Sequence, residues 1–252
     1  FFKAQYAIDS GSKELLLTSQ DNGAFGADSD SSLEVLLTEL LHLEGDFRLR
    51  VGMLNPMLVT GRSEQMARAW GDSRTYKSMH LPIQSGSQRM LDAMLRDHTL
   101  EDFWEVVETF RVHYPEMMIT TDIITGFPGE TDEDHQATIE LLGRLLPDLV
   151  NITRFSPRTG TPAAGYRRIN GNIVKTRSRE LTLLRQDLAA KSFRRFEGRR
   201  TTVLAVENQR PGSTLCRDDN YRPVIVKEEL PLGEFYDVEI ADSDWAYLTA
   251  VL

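Results

Sequence analysis

Apolar and polar positions along the first two thirds of the chain switch repeatedly between two periods. Glu14-Leu-Leu-Leu-Thr18, Phe47-Arg-Leu-Arg-Val51, Lys77 to Gln84, Met118 to Ile124 and Leu149 to Phe155 read as strands, either as short apolar runs or by alternation. Between them the pattern turns helical. Leu33, Leu36, Leu37, Leu40 and Leu41 share one helix face, and Phe103, Val106, Val107 and Phe110 share another. Capping-box patterns open helices at Ser31 to Glu34, Thr99 to Asp102 and Thr131 to Asp134. Further helices are expected over the first ten residues, over 63–70, from Gln88, and to about Leu146. Five strands alternating with helices predict an α/β architecture, a parallel sheet curved into part of a barrel. A long basic helix follows over 170–196, with Leu181, Leu184 and Leu188 facing inward. Then the pattern changes. Thr201 to Val206, Tyr221 to Val226, Glu234 to Ile240 and Tyr247 to Val251 are strands split by turn residues, with no helix among them. They predict a second domain, a small all-β antiparallel barrel over 197–252, after a first domain over 1–196.

The most informative stretch is Ile119-Thr-Thr-Asp-Ile-Ile-Thr-Gly-Phe-Pro-Gly-Glu-Thr131, a strand, a tight loop and a helix start in direct succession. Such loops lie at the carboxyl ends of strands, where ligands bind, and glycines let a flat ligand approach the backbone. A phosphate is disfavoured there. Glu130, Asp132, Glu133 and Asp134 crowd the helix start, and no P-loop lysine follows Gly129. A plain strand-to-helix turn fits the same residues. His80, alone in its strand, reads as a hydrogen-bonded core histidine rather than a metal ligand.

Composition then narrows the class. The 252 residues, 40% hydrophobic and 27% charged, suit a globular protein with a substantial core. No apolar run approaches the roughly 20 residues of a membrane span and no signal peptide is visible, so no membrane partner and a cytoplasmic address are expected. The one cysteine, Cys216, excludes a disulfide framework and cannot by itself build a metal site. The start, Phe1-Phe-Lys-Ala-Gln-Tyr-Ala-Ile, reads as mid-helix without an initiator Met, as expected of a piece of a longer protein. Net charge is −9, unevenly spread: residues 154–200 hold thirteen Lys/Arg against three Asp/Glu, between two acidic blocks. That belt suits a phosphate-bearing partner, although a cationic helix covering an acidic neighbour has the same composition.

Five segments, each placed at a strand end, carry a resemblance. They are Leu15-Leu-Leu-Thr-Ser-Gln-Asp-Asn-Gly23, Arg50-Val-Gly-Met-Leu-Asn-Pro56, His80-Leu-Pro-Ile-Gln-Ser-Gly-Ser87, Thr121 to Thr131, and Arg154-Phe-Ser-Pro-Arg-Thr-Gly-Thr-Pro-Ala163. In this order, and followed by a small barrel, they resemble the radical S-adenosylmethionine methylthiotransferases, whose last domain is the RNA-binding, OB-like TRAM barrel. Within that family the likeness is nearest to the branch modifying N6-threonylcarbamoyladenosine beside the tRNA anticodon. The ribosomal-protein branch and other radical RNA-modifying enzymes share much of the framework. The family's Cys-x3-Cys-x2-Cys cluster loop and amino-terminal domain have no counterpart here, so the match is to a partial barrel lacking its first strand. A non-catalytic RNA-binding protein on a degenerate barrel is the reading from a different class that this departure favours.

The resemblance implies a transferase using S-adenosylmethionine and two [4Fe–4S] clusters. One cluster cleaves the cofactor reductively, and a sulfur carried by the other is inserted at an adenine carbon. It further implies an electron donor and tRNA as partners, and no activity for these residues alone. By strand-end position Gln20, Asp21, Gln84, Ser85, Asp122, Gly126, Gly129, Glu130, Phe155 and Ser156 would surround the cofactor, with Arg96 on its carboxylate. Each is equally a loop or cap position. For RNA the expected residues are Arg158, Arg167, Arg168, Arg199, Arg200, Arg210, Tyr221 and Arg222.

Overall fold

The structure, a computed structural model, describes residues 1–208 and 210–252. Helix α1 (Phe2–Asp9) leads into β1 (Glu14–Leu17), and α2 (Leu33–Leu41) into β2 (Arg48–Val51). Two short helices, α3 (Pro56–Val59) and α4 (Ser63–Ala69), precede β3 (Ser78–His80); α5 (Gln88–Ala93) and α6 (Leu100–His113) precede β4 (Met118–Thr125). Helix α7 (Asp132–Leu145), strand β5 (Leu149–Arg154) and the long α8 (Gly171–Arg194) complete the first part. All pairings among β1 to β5 are parallel. β1 pairs with β2, and β3, β4 and β5 form a three-stranded sheet. Single bridges from Leu49 to Thr75 and from Met53 to His80 join the two sheets into one curved wall. Its helix-facing side is packed with apolar residues such as Leu49, Val51, Met79, Ile119 and Ile123, all at most 1% exposed. Among the described residues β1 pairs only with β2 and β5 only with β4, so both edges of the wall are free of further strands.

Most boundaries fall within a residue or two of expectation, and the departures have local causes. Ser32, not Ser31, caps α2, accepting from Val35 N at 3.4 Å. The expected strand from Lys77 to Gln84 stops at His80, because Pro82 has no N–H to give the ladder and Gln84 takes a positive φ of 72°. Thr99 and Thr131 do build complete capping boxes, with Asp102 and Asp134 as reciprocal partners.

The second part is a closed barrel of five strands in the order β10-β8-β7-β6-β9: β6 (Arg200–Arg210), β7 (Ser213–Asp218), β8 (Pro223–Val226), β9 (Phe235–Ser243) and β10 (Leu248–Val251). Strand β7, Ser-Thr-Leu-Cys-Arg-Asp, is the one the sequence reading missed. Its pattern breaks alternation with three consecutive buried residues, Thr214, Leu215 and Cys216. Only the β10 to β8 pairing is parallel among the strand pairs of this barrel.

The small barrel docks on the amino-terminal ends of β2 to β5. Lys77 N donates to Asp219 O at 2.9 Å just before β3. Arg48, opening β2, stacks on Phe235 at 4.5 Å and lies 3.5 Å from Asp219. Arg199 pairs with Glu116 at 2.6 Å just before β4.

Candidate functional site

Strand β4 divides its side chains between two environments. Ile119, Thr121, Ile123 and Thr125 are buried toward the helices, whereas Thr120, Asp122 and Ile124 are partly exposed on the concave side, the lumen of the partial barrel. Arg50, His80 and Asn151 meet Thr120 on that same concave surface. Asp122 Oδ1 accepts from His80 Nε2 at 3.0 Å and from Asn151 Nδ2 at 2.8 Å. Burial works against its charge, but these two bonds outweigh burial and hold the carboxyl below its ordinary range. His80 thus has a hydrogen-bonded partner, as read from sequence.

The loop after β4 is tied down from within. Gly126 has φ 79°, and its N–H donates to Glu130 Oε2 at 2.9 Å. Arg177 on α8 donates to that oxygen at 2.7 Å, to the Glu130 carbonyl at 3.1 Å and to Asp132 at 2.7 Å. Glu130 is only 8% exposed. This corrects the expectation that Glu130 touches the cofactor: its carboxylate, and the Gly126 N–H, are committed to clamping the loop to α8. Gly129 (φ 85°) is exposed, its carbonyl accepting from Arg89 at 2.9 Å.

The loop after β3 is equally committed. Gln84 N donates to Asp122 O at 2.8 Å and Gln84 O accepts from Ile124 N at 2.9 Å, which inserts this residue into the edge of β4. Ser85 is 2% exposed, with its Oγ accepting from Ser87 N at 3.2 Å. Gly86 lies directly on α7, where an added Cβ would come within 2.4 Å of Ala137 O, and its N–H donates to Thr138 Oγ1 at 3.0 Å. Ser85 is therefore a packing residue rather than a ligand contact, a second correction. Asp134 secures the other end, accepting from Ser87 Oγ at 2.6 Å, from Thr131 N at 2.8 Å, and from Arg89. Burial opposes its ionisation, yet these bonds lower its pKa to about 2.

What remains open is a cavity of about 450 Å³ at the carboxyl ends of β4 and β5. Phe127 and Phe155 meet edge to face there at 4.9 Å, with Tyr166 beyond at 6.5 Å. Arg96, Phe155 and Ser156, expected around the cofactor, line this cavity together with Arg158, expected to meet RNA. Arg96 forms no ion pair among the described residues; desolvation lowers its pKa, with Asp122 and Asp97 pulling the other way. The sequence reading missed Phe127 and Tyr166, although for Phe127 the signal lay in Gly126-Phe-Pro-Gly129 itself. Asp21 lies apart, lining a separate cavity of about 340 Å³ beside β1. Its Oδ1 accepts from Gly23 N at 2.9 Å and Asn55 N at 3.2 Å, while Gln20 is exposed. A third hollow of about 360 Å³ forms the floor of the lumen, closed below by Arg217, Tyr221 and Trp245 of the small barrel.

Of the arginines expected to meet RNA, Arg158, Arg167 and Arg168 are exposed and make no ion pair among the described residues. Arg199 and Arg200 are exposed but lie near Glu116 (2.6 Å) and Glu239 (3.6 Å). Arg210 is exposed as well. Arg222 is not a surface residue at all, which corrects its assignment. It is 0% exposed, stacked on Phe196 at 4.2 Å, 3.2 Å from Asp218 and 3.6 Å from Asp148, and it donates to the Glu116 carbonyl. Tyr221 is also engaged within the protein, contacted by the guanidinium groups of Arg50 (4.5 Å) and Arg217 (4.3 Å) and edge-on to Tyr76 at 5.0 Å. The basic belt proves mixed, since Arg177 is spent on Glu130 and Asp132.

Residues 3–142 match the family model of the Radical SAM superfamily, more than half of the chain. The chain belongs to the radical SAM superfamily. Residues 194–252 of this radical SAM chain match the TRAM domain. A probable threonylcarbamoyladenosine tRNA methylthiotransferase of Archaeoglobus fulgidus is 43% identical, over 99% of this chain and 59% of its own length. The human threonylcarbamoyladenosine tRNA methylthiotransferase is 34% identical over 96% of this chain and 42% of its own. The chain thus spans about half the length of the curated relatives it matches. Coproporphyrinogen III oxidase of Escherichia coli, a radical SAM enzyme, shares the fold with a TM-score of 0.56 over 75% of this chain and 45% of its own, at 13% identity.

The superfamily implies an iron–sulfur cluster, and the residues present do not fit one. Cys216 is the sole cysteine, is fully buried inside the small barrel, and has its thiol pushed up to about 11 by burial. Among the described residues no group of three or more His, Cys, Asp or Glu could hold a metal ion. Nor, among them, is any helix long and apolar enough to cross a membrane.

Proposed function

We propose that this chain forms the cofactor-facing wall and the RNA-holding part of a tRNA methylthiotransferase that acts on threonylcarbamoyladenosine. The observation carrying this reading is that 43% identity to a relative of that name runs through 99% of the chain, partial barrel and small barrel together. A likeness confined to the barrel would have spoken only for the superfamily.

The open cavity at the ends of β4 and β5 suits S-adenosylmethionine. Its chemistry matches that ligand: an unpaired guanidinium at Arg96 for a carboxylate, aromatic edges at Phe127 and Phe155 for the adenine, and partly exposed backbone beyond Ile124. When bound, the cofactor supplies the one-electron chemistry of the superfamily. The chain's own residues bind and orient. Arg177 and Glu130 fix the loop after β4, Asp134 fixes the loop after β3, and the rings of Phe127, Phe155 and Tyr166 exclude water from one wall. Arg158, Arg167 and Arg168, on the same side as the cavity, offset the phosphate charge of tRNA. The clusters and their electron donor belong to the proposal for the whole protein, with ligands that do not come from this chain.

Nucleoside analysis of tRNA tests the reading. Cells lacking the parent gene should accumulate threonylcarbamoyladenosine and lose its methylthio derivative, and the gene should restore it. Unchanged tRNA nucleosides in the deletion strain would sink the proposal, and a lost methylthio group on a ribosomal protein would redirect it.

A further inference from the structure

We infer that Arg50, at the floor of the lumen, is a specificity-determining residue that receives the carboxylate of the substrate's amino-acid substituent. The inference rests on the function proposed above and names how that substrate is told apart from plain adenosine.

The upper cavity reaches Ile124 and Thr153, and the lower hollow reaches Thr120 and Asn151. On β5 these are successive positions of one face, about 7 Å apart at the rise of a strand. The two spaces are therefore stages of one lumen. An amino acid attached to the adenine N6 through a carbamoyl group places its carboxyl carbon about 5 Å away, across four bonds of peptide-like length. A base held at the mouth of the lumen, beside the cofactor, thus lets its substituent descend toward the lower hollow.

Arg50 is prepared for an anion that the protein itself does not supply. Its guanidinium lies on the Tyr221 ring, it forms no ion pair among the described residues, and its buried Nε has no hydrogen-bond partner. Asp148, which lines the hollow, and Asp122, higher on the same concave surface, are committed elsewhere. Asp148 accepts from Ile119 N at 2.9 Å and Ser192 Oγ at 2.7 Å and faces Arg222, while Asp122 Oδ1 is held by His80 and Asn151. A cation left without a counter-ion in a partly desolvated site is costly, and a guanidinium fork fits a carboxylate with two parallel hydrogen bonds. Ser78 Oγ, also buried without a partner, faces the same hollow and suits the substituent's hydroxyl. Arg217 also stacks on the Tyr221 ring at 4.3 Å and donates to the Tyr221 carbonyl at 3.3 Å.

The test measures binding rather than turnover. Full-length enzyme is titrated with synthetic anticodon stem-loops carrying threonylcarbamoyladenosine or the same nucleoside with its carboxylate converted to the methyl amide. The wild type should prefer the acid by about 30-fold, or about 2 kcal/mol. Arg50→Gln should abolish that preference while leaving affinity for the amide unchanged, and Arg50→Lys, which keeps the charge but not the fork, should retain part of it. A merely structural role would lower both affinities together. The inference is overturned if Arg50→Gln keeps the preference, or, should that variant fail to fold, if Arg50→Lys binds with full wild-type preference. A wild type that binds and methylthiolates both stem-loops alike overturns this inference and leaves the proposed function standing. A wild type that binds neither overturns both.

Discussion

The two ends of the partial barrel use the same residue types for opposite purposes. At the amino-terminal ends of the strands, Arg50 apart, arginines are matched by carboxylates, and Arg222 is buried as well. Arg222 faces Asp218 and Asp148, Arg199 meets Glu116, and Arg48 reaches Asp219, so that charge there welds the small barrel to the wall. At the carboxyl ends Arg96, Arg158, Arg167 and Arg168 stand without carboxylates among the described residues. Sequence treats these arginines alike, but their surroundings decide which are structural and which are available to a ligand. The difference teaches that a charge count along the chain locates cations without saying which have already been neutralised.

The comparison breaks most visibly if Arg222 is removed. Arg222→Ala takes the guanidinium away from Asp218 (3.2 Å) and Asp148 (3.6 Å), both buried, and leaves Asp148 only Arg195 at 3.9 Å. The expected cost is about 3–5 kcal/mol of stability, read from urea unfolding. A loss below about 1 kcal/mol would mean that the sealed end is held by apolar packing alone.

A smaller effect is expected at Asp134, at the opposite end. Its folded-state pKa of about 2 lies below the unfolded value, so its contribution is fully present above about pH 4 and is lost as pH falls through 2. The shift corresponds to roughly 2 kcal/mol. Asp134→Asn should therefore lower stability at neutral pH by about that amount and flatten the acid limb between pH 4 and 2. An unchanged acid limb would show that the loop after β3 is secured by Gly86 packing and not by charge.

The smallest effect on stability, and the clearest on binding, belongs to Arg167 and Arg168. Replacing both by Ala should leave the melting temperature unchanged and reduce the slope of log K against log salt for tRNA by about one per lost phosphate contact. A drop in melting temperature with tRNA binding intact would place these residues with the sealed end instead.

Much of this arrangement was legible in the chain because it rests on local rules. The capping boxes at Thr99 and Thr131 and the change from alternating helices and strands to strands alone are written within a few residues. What the sequence concealed was tertiary. Arg222 and Tyr221 look like an exposed basic and aromatic pair, and only the docking of β7 and β8 against Glu116 and Asp148 buries the arginine. Glu130 looks like a ligand because it follows a glycine loop, yet its partner Arg177 lies 47 residues away on another helix. The hidden strand β7 has the same explanation, since three consecutive buried residues are stabilised by closure of a barrel that no local pattern announces.

The contact at Gly86 has a mechanical consequence. Because that loop rests on the backbone of α7 with no side chain between them, loop and helix behave as one solid body, and Ser87 and Asp134 rivet its far end. A ligand arriving at the ends of β3 and β4 therefore presses on a helix rather than on a hinge. Compliance has to come from the other rim of the cavity, the exposed stretch from Arg158 to Tyr166, whose contacts with α7 and α8 are absent among the described hydrogen bonds and ion pairs. One wall acts as an anvil. The other is the part that can yield when a substrate enters.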